Sequence, residues 1–249
     1  MDRAETVATI RLTPPEGKPP TLNHAVLHDL GQTIEALAAR PPRAVILRSD
    51  SPKYFCVGAN LNALRQIDTD TIAAWVQHGH EVLNALEDLP CPVIARLEGY
   101  ALGGGLELAL AADLLYAADT ARLGLTEAKL GFIPGWGGCR RLVERIGLGK
   151  ARQCFFAGRV LDARTAESLG LVDHVAEASR LDTDIAAYVE EVCRCGAGAI
   201  ATFKRILNEA RNASRVSNLL AETEHSVECV RDPETQQRLQ DFFATRGRK

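Results

Sequence analysis

The chain has 249 residues, 46% of them hydrophobic and 24% charged, and carries a net charge of −3. Such a balance belongs to an ordinary globular protein of one large domain, or one domain with an appended part, and excludes disordered, collagenous and disulfide-scaffold chains. A slightly negative chain has no global field for nucleic acid or an anionic membrane surface, so any anionic ligand must be held by local groups.

The N-terminus, Met1-Asp2-Arg3-Ala4-Glu5, has the character of neither a signal nor a transit peptide, and it runs straight into a strand pattern over residues 7–12. Four prolines stop that strand. Leu22, Val26, Leu27, Leu30, Ile34 and Leu37 then recur at helical spacing, with Asn23 as the N-cap, and Arg40-Pro41-Pro42 ends the helix. Residues 44–48 form a short apolar run of the kind buried in a parallel sheet, and a second such run follows at 54–59. The pattern repeats as a helix over 71–89, a strand over 92–97, the turn Glu98-Gly99-Tyr100, a glycine-headed helix through Ala112 and a strand over 114–117. From Gly138 onward the periodicity is almost continuously helical, through 140–146, 163–169, 182–194 and 198–213, with little further sheet.

The longest apolar stretch, 101–118, is interrupted by three glycines, Glu107 and Asp113, so no membrane span is expected. The seven cysteines are an odd number with no C-x-x-C pair, which suits a reducing compartment and predicts a cytoplasmic protein. His78 and His80, two apart on a predicted polar helix, cannot form an i, i+4 metal pair and read as surface residues. No metal site is expected. Cys193 and Cys195 lack partners at zinc spacing, and Asp113 reads as a helix end.

The densest chemical cluster runs from Gly99 to Glu107. Three successive glycines, Gly103, Gly104 and Gly105, bare backbone N–H groups at a helix start, where the dipole favours negative charge. The segment lacks the G-K-[ST] ending of a P-loop and the third glycine of a dinucleotide fingerprint, which leaves an oxyanion hole as its chemical use. Glu107 stands three residues past Gly104, one helical turn on. Two uses fit it: a first-turn acid stabilised by the dipole, or an acid–base group made reactive by burial among Leu106, Leu108, Ala109 and Leu110. A second carboxylate, Glu127, follows Thr126 at what also reads as a helix start. Beyond it, Gly135-Trp136-Gly137-Gly138 offers bare backbone with Trp136 as an apolar wall, or a turn joined to a core tryptophan.

Three segments carry a resemblance to the crotonase superfamily, the enoyl-CoA hydratase/isomerase family, over nearly the whole chain. Phe55-Cys56-Val57-Gly58-Ala59-Asn60-Leu61 is similar to the family's F-x-A-G-A-D-L segment, Gly99 to Glu107 resembles its glycine-rich second segment, and Thr126 to Gly138 resembles the stretch that opens on its second carboxylate. The resemblance implies an α/β fold, a spiral of repeated ββα units over residues 1–137, followed by a helical region over 138–249 that assembles a homotrimer or a hexamer. It also implies an acyl-CoA thioester substrate, with no metal or redox cofactor. Ala59 and Gly104 become the oxyanion N–H donors, Glu107 and Glu127 the catalytic acids, and Val57, Asn60, Leu61, Gly103 and Trp136 substrate-binding positions.

The segments also depart from the family pattern. Asn60 replaces an acid, Asn62 a frequent lysine, Val57 an alanine, Thr126 a proline and Trp136 a small residue, and the last is expected to reshape the acyl pocket. Two carboxylates favour hydration of a 2-enoyl-CoA; the alternatives are a delta3-delta2 enoyl-CoA isomerase and a non-catalytic acyl-CoA-binding or scaffold protein.

Overall fold

The computed structural model describes residues 7–208, 223–224, 227, 230–231 and 233–246. The far end of the helix expected over 198–213 lies outside the described residues.

Strand β1 (Val7–Leu12) leads into helix α1 (His24–Ala39), which starts where Asn23 accepts a hydrogen bond from the Val26 N–H. Next come β2 (Ala44–Ser49), β3 (Tyr54–Cys56), the single turn α2 (Leu61–Leu64) and α3 (Ile72–Glu87). They are followed by β4 (Val93–Leu97), β5 (Tyr100–Leu102) and α4 (Gly104–Leu110), then by β6 (Leu114–Ala118), β7 (Arg122–Gly124) and a 3-10 turn, Glu127–Leu130. With two later strands, β8 (Leu161–Asp162) and β9 (His174–Ala176), strands β1-β2-β4-β6-β9 form one sheet and β3-β5-β7-β8 the other. Each passage β2 to β3, β4 to β5 and β6 to β7 therefore gives one strand to each sheet before a helix or helical turn carries the chain back. That alternation is the ββα spiral.

The register follows from burial. In the larger sheet all pairings are parallel, with Val45 opposite Val93 and Ile94 opposite Leu114. Every residue of β4 is buried, as expected of a central parallel strand covered on both faces. Its one charged residue, Arg96, is compensated by Glu98 and Asp182, each at 2.7 Å.

The region after Gly137 is mainly helical: α5 (Gly138–Phe156), α6 (Ala163–Ser168), α7 (Ala178–Arg194), α8 over 197–208 and α9 (Pro233–Arg246). It also holds β8 (Leu161–Asp162), antiparallel to β7, and β9 (His174–Ala176), parallel to β6. Both sheets thus end in strands supplied from within the helical stretch. Of the expected turn Glu98-Gly99-Tyr100, Tyr100 already belongs to β5.

His80 departs from the sequence reading: it is 4% exposed. The buried face of α3 is broader than its polar pattern suggests, running through Ile72, Trp75, Val76, Gly79, His80, Leu83 and Leu86, because the helix is packed against α1 as well as the core.

Candidate active site

The loops after β3 and β5 meet backbone to backbone. A Cβ on Gly58 would lie 2.9 Å from the Leu102 carbonyl oxygen and 3.0 Å from the Gly104 nitrogen, and Gly58 has φ +89°, so only glycine fits. Gly105 is equally constrained, since its Cβ would fall 2.1 Å from the Cys56 carbonyl oxygen. These close approaches bring Ala59 beside the start of α4. The Leu22 N–H donates to the Gly58 carbonyl at 2.9 Å and the Asn60 N–H to the Leu22 carbonyl at 2.7 Å, so the intervening Ala59 N–H is turned away from that bridge. Gly104 is the first residue of α4, where an N–H has no carbonyl one turn back. Among the described residues neither N–H donates a hydrogen bond within the chain, and both residues line a cavity of about 1010 Å³.

Two carboxylates line the same cavity in contrasting environments. Glu107, on α4, is 2% exposed. Its Oε1 accepts hydrogen bonds from the Trp136 N–H at 2.7 Å and the Gly138 N–H at 2.8 Å, so the glycine-rich turn spends its bare backbone on holding this side chain. Such donors favour the charged form of a carboxylate. Glu127, at the head of the 3-10 turn, has both carboxylate oxygens buried with no hydrogen-bond partner among the described residues. Burial pushes its pKa up to about 7, opposed weakly by the nearby Thr126 and Glu127 amides, which fall short of hydrogen-bond geometry. One of its oxygens stands beside Gly103, where a Cβ would come within 3.3 Å.

A buried ionic cluster supports the turn that holds Glu107. Arg141, 2% exposed, donates to the Trp136 carbonyl at 2.7 Å, to Asn84 at 2.8 Å and to Glu87 at 2.9 Å. Arg140 donates to the same Glu87 oxygen at 2.7 Å and also pairs with Glu144. Removing one member of such a cluster leaves a buried charge uncompensated and typically costs about 3–5 kcal/mol. Nothing in sequence spacing links Glu87 with Arg140 and Arg141, and sequence reasoning missed all three. It also missed α9, whose Asp241, Phe242 and Thr245 line the cavity. That helix is fastened by Thr235 Oγ1 donating to the Gly131 carbonyl and by Arg65 stacked 4.0 Å over the Phe243 ring.

Of the expected substrate-binding positions, Val57, Leu61, Gly103 and Trp136 line the cavity. Asn60 does not. Its carboxamide oxygen caps α2 by accepting from the Asn62 and Ala63 N–H groups, and its nitrogen donates to Thr21, so its polar atoms are occupied by local structure. The expected acid at that position is replaced by a helix cap. Among the described residues, no three His, Cys, Asp or Glu side chains cluster as metal ligands, and no helix is long and apolar enough to cross a membrane.

A two-sheet ββα spiral whose turns converge on one cavity is the architecture of the crotonase superfamily. The chain belongs to the enoyl-CoA hydratase/isomerase family, whose model matches residues 2–248. The mitochondrial methylglutaconyl-CoA hydratase of Mus musculus is 34% identical over 236 residues, which cover 92% of this chain and 73% of that protein. The enoyl-CoA isomerase/hydratase fer4 of Mycosarcoma maydis is 39% identical over 168 residues, 64% of this chain and 61% of that protein. The crystal structure of an enoyl-CoA hydratase from Bacillus anthracis superposes with a TM-score of 0.77 at 30% identity, covering 95% of this chain and 93% of that one.

Proposed function

We propose that the protein adds water to the C2–C3 double bond of a 2-enoyl-CoA, giving a 3-hydroxyacyl-CoA. The observation that carries this reading is the unequal pair of carboxylates in one cavity: Glu107 held by two N–H donors, Glu127 buried without a partner. Environments that separate two acids in this way assign one as base and the other as acid. The thioester oxygen sits on the Ala59 and Gly104 N–H groups, each worth about 3 kcal/mol as negative charge develops there. Glu107 takes a proton from a water aimed at C3, the water oxygen bonds to C3, and the C2–C3 π electrons pass into the thioester as an enolate. Glu127 gives its proton to C2 as the enolate collapses. A proton returned from Glu107 to Glu127 through solvent restores both groups. Coenzyme A enters as part of the substrate, and the steps call for no metal or redox cofactor.

The test is incubation of crotonyl-CoA in deuterium oxide. The hydratase reading expects loss of the conjugated thioester absorbance and one deuterium at C2 of the 3-hydroxy product. Efficient conversion of a 3-enoyl-CoA to its 2-enoyl isomer without addition of water would put the isomerase reading in its place. Binding of acyl-CoA with neither reaction would leave the non-catalytic one.

We further infer a homotrimer, or a hexamer of two trimers, with 138–249 supplying the assembly surface; residues 1–137 carry the two acids and the oxyanion N–H groups, while Gly138 and α9 complete the site from the helical part. Supporting it, α8 exposes Phe203, Ile206 and Leu207, of which Phe203 is 66% exposed, and an apolar patch of this kind calls for a cover. Sedimentation should therefore give three or six times the 27.0 kDa of one chain. A stable single-chain species at micromolar concentration would contradict it. A cytoplasmic location rests on cysteine usage: the six cysteines among the described residues are all free.

A further inference from the structure

We propose that Trp136 is the end wall of the acyl pocket and confines the site to short, uncharged enoyl groups of about crotonyl size, an inference that rests on the thioester-binding geometry just described. A Cβ on Gly104 would lie 2.4 Å from Cζ3 of Trp136, and a Cβ on Gly79 would lie 2.0 Å from its Cδ1. The indole therefore fills the gap between the start of α4 and the middle of α3, directly against the residue whose N–H receives the thioester oxygen. An acyl chain continuing past C3 meets this ring.

The ring is also fixed. Its backbone N–H is held by Glu107 and its carbonyl by Arg141, each at 2.7 Å, which places the main chain, while the indole Nε1–H donates to the Trp75 carbonyl at 3.4 Å and the ring is wedged between Gly79 and Gly104, which holds the side chain. Trp75 stands behind it at 5.2 Å between ring centroids, and Ile72 and Val76 continue the wall along α3. At 3% exposure Trp136 is packed as tightly as core.

Among the described residues, the same end of the cavity has no cation to receive a distal carboxylate. The cations among the described residues that line the cavity are Lys53 and Lys129, both exposed. Lys53 Nζ sits 5.4 Å over the Tyr54 ring, and the Lys129 side chain lies along Gly158, away from the tryptophan pair. Arg141 lies on the far side of the Trp136 backbone, with its guanidinium committed to Trp136, Asn84 and Glu87. A carboxylate at the end of the acyl chain would be buried against two indoles without a partner, which is strongly unfavourable.

The experiment is calorimetric binding of saturated butyryl-, hexanoyl-, decanoyl- and glutaryl-CoA to the intact protein and to Trp136→Ala, alongside hydration of crotonyl- and decenoyl-CoA. An open apolar tunnel gains affinity with every methylene. The wall instead predicts that decanoyl- and glutaryl-CoA bind the natural protein at least about tenfold more weakly than butyryl-CoA, within the range by which shaped pockets discriminate. Trp136→Ala should raise the decanoyl-to-butyryl affinity ratio at least about tenfold while glutaryl-CoA stays weak. Trp136→Leu, a smaller cavity, serves if circular dichroism shows the alanine variant unfolded. Natural protein that binds decanoyl-CoA as tightly as butyryl-CoA, or a folded variant with an unchanged ladder, overturns the proposal. The two readings fail separately: binding with the expected ladder but no hydration removes the hydratase, whereas equal hydration of crotonyl- and decenoyl-CoA removes the wall.

Discussion

Replacing Glu107 by glutamine should lower kcat for hydration of a 2-enoyl-CoA by at least about 100-fold, the usual loss on removing a general base, with thioester affinity nearly unchanged. The substitution is close to isosteric. A glutamine carbonyl oxygen can still accept from the Trp136 and Gly138 N–H groups that hold Oε1, so the turn, the indole and the Arg141 contact keep their places. What disappears is the capacity to take a proton from water. Alanine is the poorer probe, because it strands two buried N–H groups and mixes a packing defect with the chemical one. The measurement is the loss of conjugated thioester absorbance under saturating substrate, with butyryl-CoA binding as the control. Near-normal turnover by Glu107→Gln would remove Glu107 from the mechanism.

Both acids were visible in the sequence because of where they stand. Glu107 falls among leucines and alanines behind three glycines, and Glu127 opens a turn that runs into Gly135-Trp136-Gly137-Gly138. The groups that divide their roles were not visible. The donors to Glu107 are backbone N–H groups, which every residue but proline carries, so no side-chain identity announces them. The buried Arg141 reaches Glu87 across 54 positions of chain, a distance that helical or strand periodicity cannot bridge.

Element type was legible where runs were long. The α1 stripe with its Asn23 cap and the continuously buried strand β4 both follow the expected patterns. Strands β5, β7, β8 and β9 have only two or three residues each, too few for alternation to register, and their extended form comes from pairing with a neighbour. Asn60 shows the converse case: its position in a motif suggests a ligand contact, while its chemistry, that of a good N-cap residue before a helical turn, decides where the carboxamide goes.

Glu127 should impose a pH dependence on stability and on turnover, each with a definite sign. Burial raises its folded-state pKa from 4.5 to about 7, so between those values the folded chain holds a proton that the unfolded chain has released. Stability from this group is therefore complete below pH 4.5 and declines as pH rises through 7, because the unfolded state binds fewer protons. The difference across that window is on the order of 3 kcal/mol. Asp113 is also raised by burial, so the effect is isolated by comparison with Glu127→Gln, in which the Asp113 contribution is retained. In urea titrations at pH 5 and pH 8 the natural protein should lose more stability than the variant, and the variant should be the more stable of the two at pH 8. Turnover follows the same ionisation. Hydration needs the protonated acid to supply C2, so kcat/KM should fall as pH rises above about 7, and Glu127→Gln should lose at least about 100-fold below pH 7, with the gap narrowing as pH rises further. Dehydration of the 3-hydroxyacyl-CoA needs the pair to carry the same single proton, now on Glu107, so its kcat/KM should fall in parallel. The reaction takes up no net proton, and the ratio of the two is fixed by an equilibrium constant that does not change with pH. Equal stability slopes in the two proteins would show that Glu127 is not buried as a neutral acid, and a hydration rate unchanged from pH 6 to pH 9 would deny it the role of proton donor.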